Sequence, residues 1–175
     1  MPETELSGQK TYITQGEQAI GDQPGHMIVT ILGSCVAVCL WDPAARTGGM
    51  NHILLPETPA SSIGFKSAGA CAMEMLINGL LKSGAEKERL RAKVFGGAAI
   101  ISGLSDIGLR NCAFARDFLL TEGIPTDAES LGGSQARQIR FWPYTGKVRQ
   151  RFVPAVEAPP TVVPPAPAGN DMELF

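Results

Sequence analysis

The stretch ILGSCVAVCLWD, residues 31–42, places two cysteines on one apolar run, directly after a Gly-Ser pair. A second apolar run, GGMNHILLP at 48–56, contains a histidine and follows the turn-forming segment DPAART. The first run is rich in Val and the second ends at a proline, so we interpret both as strands. A hairpin across DPAART would then determine which cysteine meets His52.

Two registers of this hairpin give different answers. If Trp41 opposes Met50, His52 faces Cys39, whereas a wider loop would place His52 opposite Cys35. The two cysteines share one strand face because their separation is even. They lie ~13 Å apart at ~3.3 Å per residue, so only one of them can contact the imidazole. Spacing alone leaves both registers open.

The local surroundings of the two cysteines favour Cys35 as a nucleophile. Cys39 lies within VAVCLW, where a cysteine is most often a small buried hydrophobe. Cys35 follows Gly33 and Ser34 at the strand entrance, where the glycine lets the backbone bend and backbone N–H groups can face a developing oxyanion. The alternative is that one Cys and one His coincide by chance, which the residues alone do not exclude.

Composition predicts one globular domain. The chain has 175 residues, of which 44% are hydrophobic and 18% charged. The net charge of -2 gives no electrostatic reason for nucleic acid or an anionic membrane as the main partner. The first twenty residues lack a secretory signal, and no apolar run reaches the roughly 18–20 residues that span a bilayer. We therefore expect a cytoplasmic protein without membrane insertion.

The four cysteines predict neither disulfides nor a metal centre. In a reducing compartment they are not expected to form a disulfide framework. Their spacing matches no zinc signature, and the chain contains only two histidines. The sequence thus predicts no metal and no cofactor.

The pattern along the chain favours an α+β (mixed α/β) fold with helices covering the sheets. We expect a flexible N-terminus at 1–11, a folded domain at 12–153 and a Pro-rich disordered tail at 154–175. Within the domain we expect strands in 25–32, 35–41, 48–56 and 89–100, helices over 67–83 and from Ser105 or Asp106 to Gly123, and a late hairpin turning at Gly146.

An ordered set of motifs resembles the CheD family, the chemoreceptor glutamine deamidases of bacterial chemotaxis. TILGSCVAVCLWDP (30–43) and GGMNHILLP (48–56) carry its signature. The resemblance continues through AKVFGGA (92–98), IGLRNCAFARDFLLTEGI (107–124) and LGGSQARQIRFWPYTGKV (131–148), in the family's order. It implies a layered sandwich of mixed β-sheets covered by helices, similar to cytotoxic necrotizing factor-like cysteine hydrolases.

The resemblance also implies a site and a reaction. The family's nucleophile maps to Cys35, its histidine to His52 and its threonine most nearly to Thr30. From their position directly before Cys35, we expect Gly33 and Ser34 to bind substrate or its oxyanion. The implied enzyme is a protein-glutamine glutaminase that converts glutamines on the cytoplasmic helices of methyl-accepting chemotaxis receptors to glutamate through a thioester. The alternatives are a thiol amidase or peptidase with another substrate, and a mainly non-catalytic adaptor that binds receptors and a CheC-type phosphatase.

The resemblance does not cover the tail, which ends in the acidic and aromatic sequence NDMELF. A peptide of this kind on a Pro-rich tether can dock on a partner domain and raise its local concentration. A terminus without function is the simpler alternative.

Overall fold

The computed structural model describes residues 8–55, 62–100, 105–154 and 172–175. Its strands are β1 (Lys10–Tyr12), β2 (Gln18–Gly21), β3 (Met27–Leu32), β4 (Val36–Asp42), β5 (Thr47–Asn51), β6 (Arg91–Gly96), β7 (Thr126–Leu131), β8 (Ala136–Trp142), β9 (Lys147–Val153) and β10 (Met172–Leu174). Its helices are α1 (Ser62–Lys82) and α2 (Ser105–Glu122), with one 3-10 turn at Lys87–Arg89.

The strands form two five-stranded mixed sheets. Sheet A has the order β1-β3-β8-β9-β10 and sheet B the order β2-β5-β4-β6-β7. The pairs β1/β3 and β6/β7 are parallel, and the other pairs are antiparallel. The predicted mixed α/β class with layered sheets is confirmed.

Two apolar clusters define three layers. One cluster joins residues of both sheets, including Ile28 and Phe141 from sheet A and Phe95 from sheet B. The other joins the opposite face of sheet B to α1 and α2 through residues such as Leu40 and Leu76. Sheet B is therefore the middle layer, which explains why all seven residues of β4 are buried and why its sequence is apolar from Val36 to Trp41.

The two helices lie close to their predicted positions. α1 is followed by Gly84 at φ +101°, and α2 by Gly123 at φ +70°. A left-handed glycine after the last turn is a common helix terminator. No helix among the described residues has both the length and the apolarity needed to cross a membrane.

The described structure differs from the sequence prediction at four strands, one of which is β2, in a segment to which no element was assigned. β1 lies partly in the segment expected to be flexible and pairs with β3 through backbone bonds. β7 has the polar sequence TDAESL, which carries little strand signal because it lies at the edge of sheet B. β10 lies in the predicted disordered tail. Residues 1–7 and 155–171 lie outside the described residues, so the domain boundaries remain a prediction.

Both registers considered for the hairpin are wrong. Asp42 opposes Thr47 and Cys39 opposes Met50, so a four-residue loop joins β4 to β5. The side chain of Asp42 accepts hydrogen bonds from the backbone of this loop, and Arg46 adopts a left-handed φ of 53°. This local turn chemistry sets the register, which lies midway between the two alternatives.

Candidate active site

Cys35 lies where the chain crosses from one sheet to the other. Residues 33–35 connect β3 of sheet A to β4 of sheet B. The side chain of Cys35 is half-buried and packs at the border of the cluster between the sheets. A thiol at this crossover can meet a substrate that approaches the end of the sandwich.

Hydrogen bonds hold all three carbonyl groups of this crossover. The oxygen of Gly33 accepts from the N–H of Ala98 at 3.0 Å, and that of Cys35 accepts from the N–H of Gly97 at 2.8 Å. The oxygen of Ser34 accepts from Nδ2 of Asn111 at 2.7 Å. The nucleophile loop is therefore fixed from the side of β6 and α2.

Two glycine pairs stack behind the nucleophile loop. Gly96 has a φ of +114°, and a Cβ there would collide with the carbonyl oxygen of Cys35. The oxygen of Gly96 in turn accepts from the N–H of Gly132 at 2.8 Å, and Gly133 accepts from Ala99 at 2.8 Å. The motifs FGGA and LGGS thus support the crossover, because only backbone without side chains can approach so closely.

His52 is held by its backbone and by its ring. Its N–H donates to the oxygen of Glu17 at 3.1 Å, and its oxygen accepts from Gly16 at 2.9 Å. The ring nitrogen Nδ1 lies 2.7 Å from Oγ1 of Thr30, whose hydroxyl also donates to the oxygen of Ile13 at 2.8 Å.

These contacts assign the tautomer of the neutral imidazole. A hydroxyl has one proton, and that of Thr30 is used on the carbonyl of Ile13. Nδ1 of His52 must therefore carry the hydrogen and donate it to Thr30. Nε2 then has the free lone pair, which is the state that a general base requires.

The register places His52 diagonally to both cysteines. Val36 and Ile53 exchange two backbone hydrogen bonds, of 3.0 and 2.8 Å, and each directly follows one of the two candidate residues. Continuing the β4–β5 ladder, His52 lies level with Ala37, one diagonal step from Cys35 and one from Cys39. Diagonal partners on a ladder have Cα atoms roughly 7–8 Å apart, so the register does not choose between the thiols.

Burial separates the two cysteines. Cys39 is completely inaccessible within the cluster between the sheets, and this burial raises the pKa of its thiol. Cys35 is partly exposed, and burial raises the pKa of its thiol to about 11, although its own backbone N–H partly offsets this effect. Of the two, Cys35 is the thiol that a substrate can reach.

The site holds two neutral groups in its resting state. Burial lowers the pKa of His52 to about 4, against a weaker opposing effect of the Glu17 carboxylate. With the Cys35 pKa at about 11, the thiol is protonated and the imidazole uncharged at neutral pH. The geometry therefore offers a base with a free lone pair and a thiol that still has its proton.

Asn111 is a site residue to which sequence reasoning assigned no role. It lies on α2 with only 1% of its surface exposed, and its Oδ1 accepts from the N–H of Leu55 at 3.1 Å while its Nδ2 binds Ser34. One side chain thus joins the nucleophile loop to the segment that follows His52. Its signal in the sequence is an amide on the apolar face of a helix, within a motif already assigned to the family.

Comparison with known proteins agrees with this arrangement of motifs. A family model described as CheD chemotactic sensory transduction matches residues 54–152. A relative from Caulobacter sp. (strain K31), named probable chemoreceptor glutamine deamidase CheD, is 49% identical over 174 residues, which cover 95% of this chain and 93% of the relative. A relative of the same name from Rhizobium meliloti (strain 1021) is 45% identical over 183 residues, covering 98% of this chain and 99% of the relative.

Among solved structures, the Bacillus licheniformis hypothetical protein YfiH is similar with a TM-score of 0.43 and 17% identity, over 66% of this chain and 51% of that one. The sequence relatives match this chain at far higher identity and over nearly its whole length. On the strength of those relatives and of the family model, the chain belongs to the CheD family.

Proposed function

We propose that this protein deamidates glutamine side chains of chemoreceptors to glutamate, with Cys35 as nucleophile and His52 as general base. The relatives that match nearly the whole chain carry the name of this activity. The observation that supports the residue roles is the hydrogen bond from His52 to Thr30, because it leaves Nε2 as the basic nitrogen, one diagonal step along the ladder from the partly exposed Cys35. The substrate glutamines lie on cytoplasmic helices of the receptor, which places the reaction in the cytoplasm.

The reaction begins with proton transfer coupled to attack. Nε2 of His52 takes the proton of Cys35 while Sγ forms a bond to the amide carbon of the substrate. Because both groups are neutral at rest, we expect the proton to move during attack rather than before it. The amide oxygen becomes an oxyanion, which backbone N–H groups around Gly33, Ser34 and Cys35 stabilise.

The remaining steps return the enzyme to its starting state. His52 gives its proton to the amide nitrogen, the C–N bond breaks and ammonia leaves a thioester on Cys35. A water molecule loses a proton to Nε2 and attacks the thioester carbon. The C–S bond breaks and the glutamate product departs. The Cys35 thiolate then recovers the proton from His52. Thr30 positions the ring throughout, because its hydroxyl holds Nδ1.

The rigid crossover suits the proposed oxyanion role. The carbonyl groups of Gly33, Ser34 and Cys35 are all bound to β6–α2 residues, so the peptide planes between them cannot rotate freely. Preorganised donors stabilise charge without the reorganisation that a mobile loop would need.

The test is incubation of the purified protein with a receptor cytoplasmic fragment. We expect ammonia release and, at specific glutamines, the mass change that replaces an amide by a carboxyl group, with the fragment uncut. An ammonia assay follows the release, and peptide mass spectrometry measures the mass change and shows whether the fragment is cut. Cleaved fragments would favour a thiol peptidase, and an unchanged fragment would contradict the proposal.

A CheC-type phosphatase as a further partner remains a prediction from the family resemblance. An adaptor would not require the thiol. Binding of a purified CheC-type protein to the Cys35→Ala variant, measured beside receptor deamidation, separates an adaptor role from the enzymatic one.

A further inference from the structure

The end of the chain forms the edge strand of sheet A. Met172, Glu173 and Leu174 oppose Arg151, Gln150 and Arg149 of β9 in an antiparallel ladder. The ladder continues one residue further, where the N–H of Phe175 donates to the oxygen of Val148 at 2.8 Å and the N–H of Val148 donates back at 3.3 Å.

Phe175 connects the two sheets. Its backbone pairs with β9 of sheet A, whereas its ring lies edge-on against Phe95 of sheet B with centroids 5.3 Å apart. The ring packs against the cluster between the sheets and is partly buried. The ammonium group of Lys93 donates to the oxygen of Phe175 at 2.7 Å and to that of Gly146 at 2.9 Å.

Of residues 173–175, only Phe175 inserts its side chain between the sheets. Leu174 is 63% exposed and Glu173 is also exposed, so neither fills a pocket. Glu173 opposes Gln150, which lies between Arg149 and Arg151 along β9. The edge of β9 therefore offers backbone hydrogen bonds and one site for an aromatic ring, which is how sheets recognise extended peptides.

We propose that the edge of β9 and the pocket beside Phe95 and Lys93 form a peptide-binding site, which takes an extended segment that carries a phenylalanine at the position of Phe175. Its occupant is residues 172–175 of the same chain, bound reversibly. Four paired residues and one partly buried ring make a weak contact, but attachment through residues 155–171 supplies an effective concentration on the order of millimolar. The argument for this site does not depend on the proposed activity.

Competition by a free peptide tests the site. The probe is the labelled synthetic peptide NDMELF, identical to residues 170–175, titrated with the full chain and followed by fluorescence anisotropy. We expect Phe175→Ala to bind this probe at least ~10-fold more tightly than the wild type, because its own tail no longer occupies the pocket. Leu174→Ala is the matched control and should bind the probe like the wild type, since that side chain is exposed.

Equal affinity of the wild type and Phe175→Ala for the probe, or no binding to either, would overturn the proposal. Amide hydrogen exchange gives a second measurement on the full chain. The N–H groups of residue 175 and Val148 should be protected in the wild type and lose that protection in Phe175→Ala, while the amides that bond β8 to β9 keep theirs. Protection that grows with protein concentration would mean that a second copy supplies the tail, which contradicts binding within one chain.

Discussion

Cys35 and Cys39 lie on one face of one segment, yet their surroundings have almost nothing in common. Cys39 lies in the middle of β4, sealed between the two sheets with no accessible surface. Cys35 lies at the crossover between the sheets, partly exposed, with its carbonyl group held by Gly97. His52 is diagonal to both. What makes a thiol available to a substrate here is its place at the end of the sandwich, not its spacing from the histidine.

Replacing each of the two cysteines by alanine should produce the largest difference in activity. Cys35→Ala should lower ammonia release from a receptor fragment by at least ~10³-fold, because no other group forms the thioester. Cys39→Ala should keep most of the activity and lower the free energy of unfolding by about 1 kcal/mol, because a small buried side chain is truncated. Steady-state ammonia assays and urea denaturation measure the two effects. Loss of activity in Cys39→Ala but not in Cys35→Ala would show that Cys39, and not Cys35, is the nucleophile.

The pH dependence of alkylation should separate the two thiols as well. Because the Cys35 pKa is raised to about 11, its thiol is protonated at neutral pH, and its rate with iodoacetamide should rise ~10-fold per pH unit, about 10³-fold from pH 7 to 10. Cys39 should remain unmodified while the protein is folded. Peptide mass spectrometry follows each site, with exposed Cys71 as a reference for reagent access. A Cys35 rate already constant at pH 7 would indicate a preformed thiolate instead.

Disturbing the backbone behind Cys35 should affect catalysis more than stability. Gly96→Ala should lower kcat/KM by at least ~10²-fold, since the new Cβ collides with the carbonyl oxygen of Cys35 and displaces the nucleophile. Gly84→Ala is the matched control, because Gly84 has a similar φ of +101° but nothing within 4 Å of its Cβ position. Gly84→Ala should lose about 1–2 kcal/mol of stability from its left-handed backbone alone, and Gly96→Ala should lose more, because the collision adds to that strain. Equal activity in the two would show that the close approach is not needed.

Removal of the hydroxyl that holds the imidazole should cost about 10- to 100-fold in kcat. Thr30→Val leaves Nδ1 of His52 without its acceptor, so the ring is free to rotate or change tautomer. Thr30→Ser retains the oxygen and should recover most of the rate. Single-turnover deamidation of the receptor fragment measures both. A Thr30→Ser variant as slow as Thr30→Val would assign the effect to packing rather than to the hydrogen bond.

The smallest effect is expected at Asn111, which touches the crossover only through Ser34. Asn111→Ala should lower kcat about 10-fold with little change in KM, because it loosens the spacing between the nucleophile loop and the segment after His52. Asp42→Asn is a buried polar control at the other end of β4. Burial alone would raise the pKa of the Asp42 carboxyl group, but hydrogen bonds from Arg89 and from backbone N–H groups outweigh it and lower this pKa to about 2.

The sign of the control effect follows from that pKa. A carboxyl group whose pKa is lowered on folding stabilises the protein above pH ~4, and this contribution is lost as the pH falls towards 2. Asp42→Asn should therefore lower stability at pH 7 without changing kcat. If Asn111→Ala behaved in the same way, its role would be purely structural.

Local patterns predicted most of the central elements. The uninterrupted apolar run of β4, the glycines after both helices and the hairpin at Gly146 were visible as sequence, and each lies near its expected place. The four edge strands were not, because β1, β2 and β10 are only three or four residues long and β7 is polar, and all are held mainly by backbone pairing with a neighbour. Such pairing leaves little trace in side-chain periodicity.

The order of residues was enough to identify the family, the class of fold and the short set of residues that carry the proposed chemistry. Those features depend on residue order and on periodicity, which are properties of each segment alone. The hairpin register, the exposure of Cys35 relative to Cys39, the imidazole tautomer and the position of Phe175 became visible only in the folded structure. Each of these depends on atoms that segments far apart in the chain bring together, such as the carbonyl of Ile13 beside Thr30 or the ring of Phe95 beside Phe175.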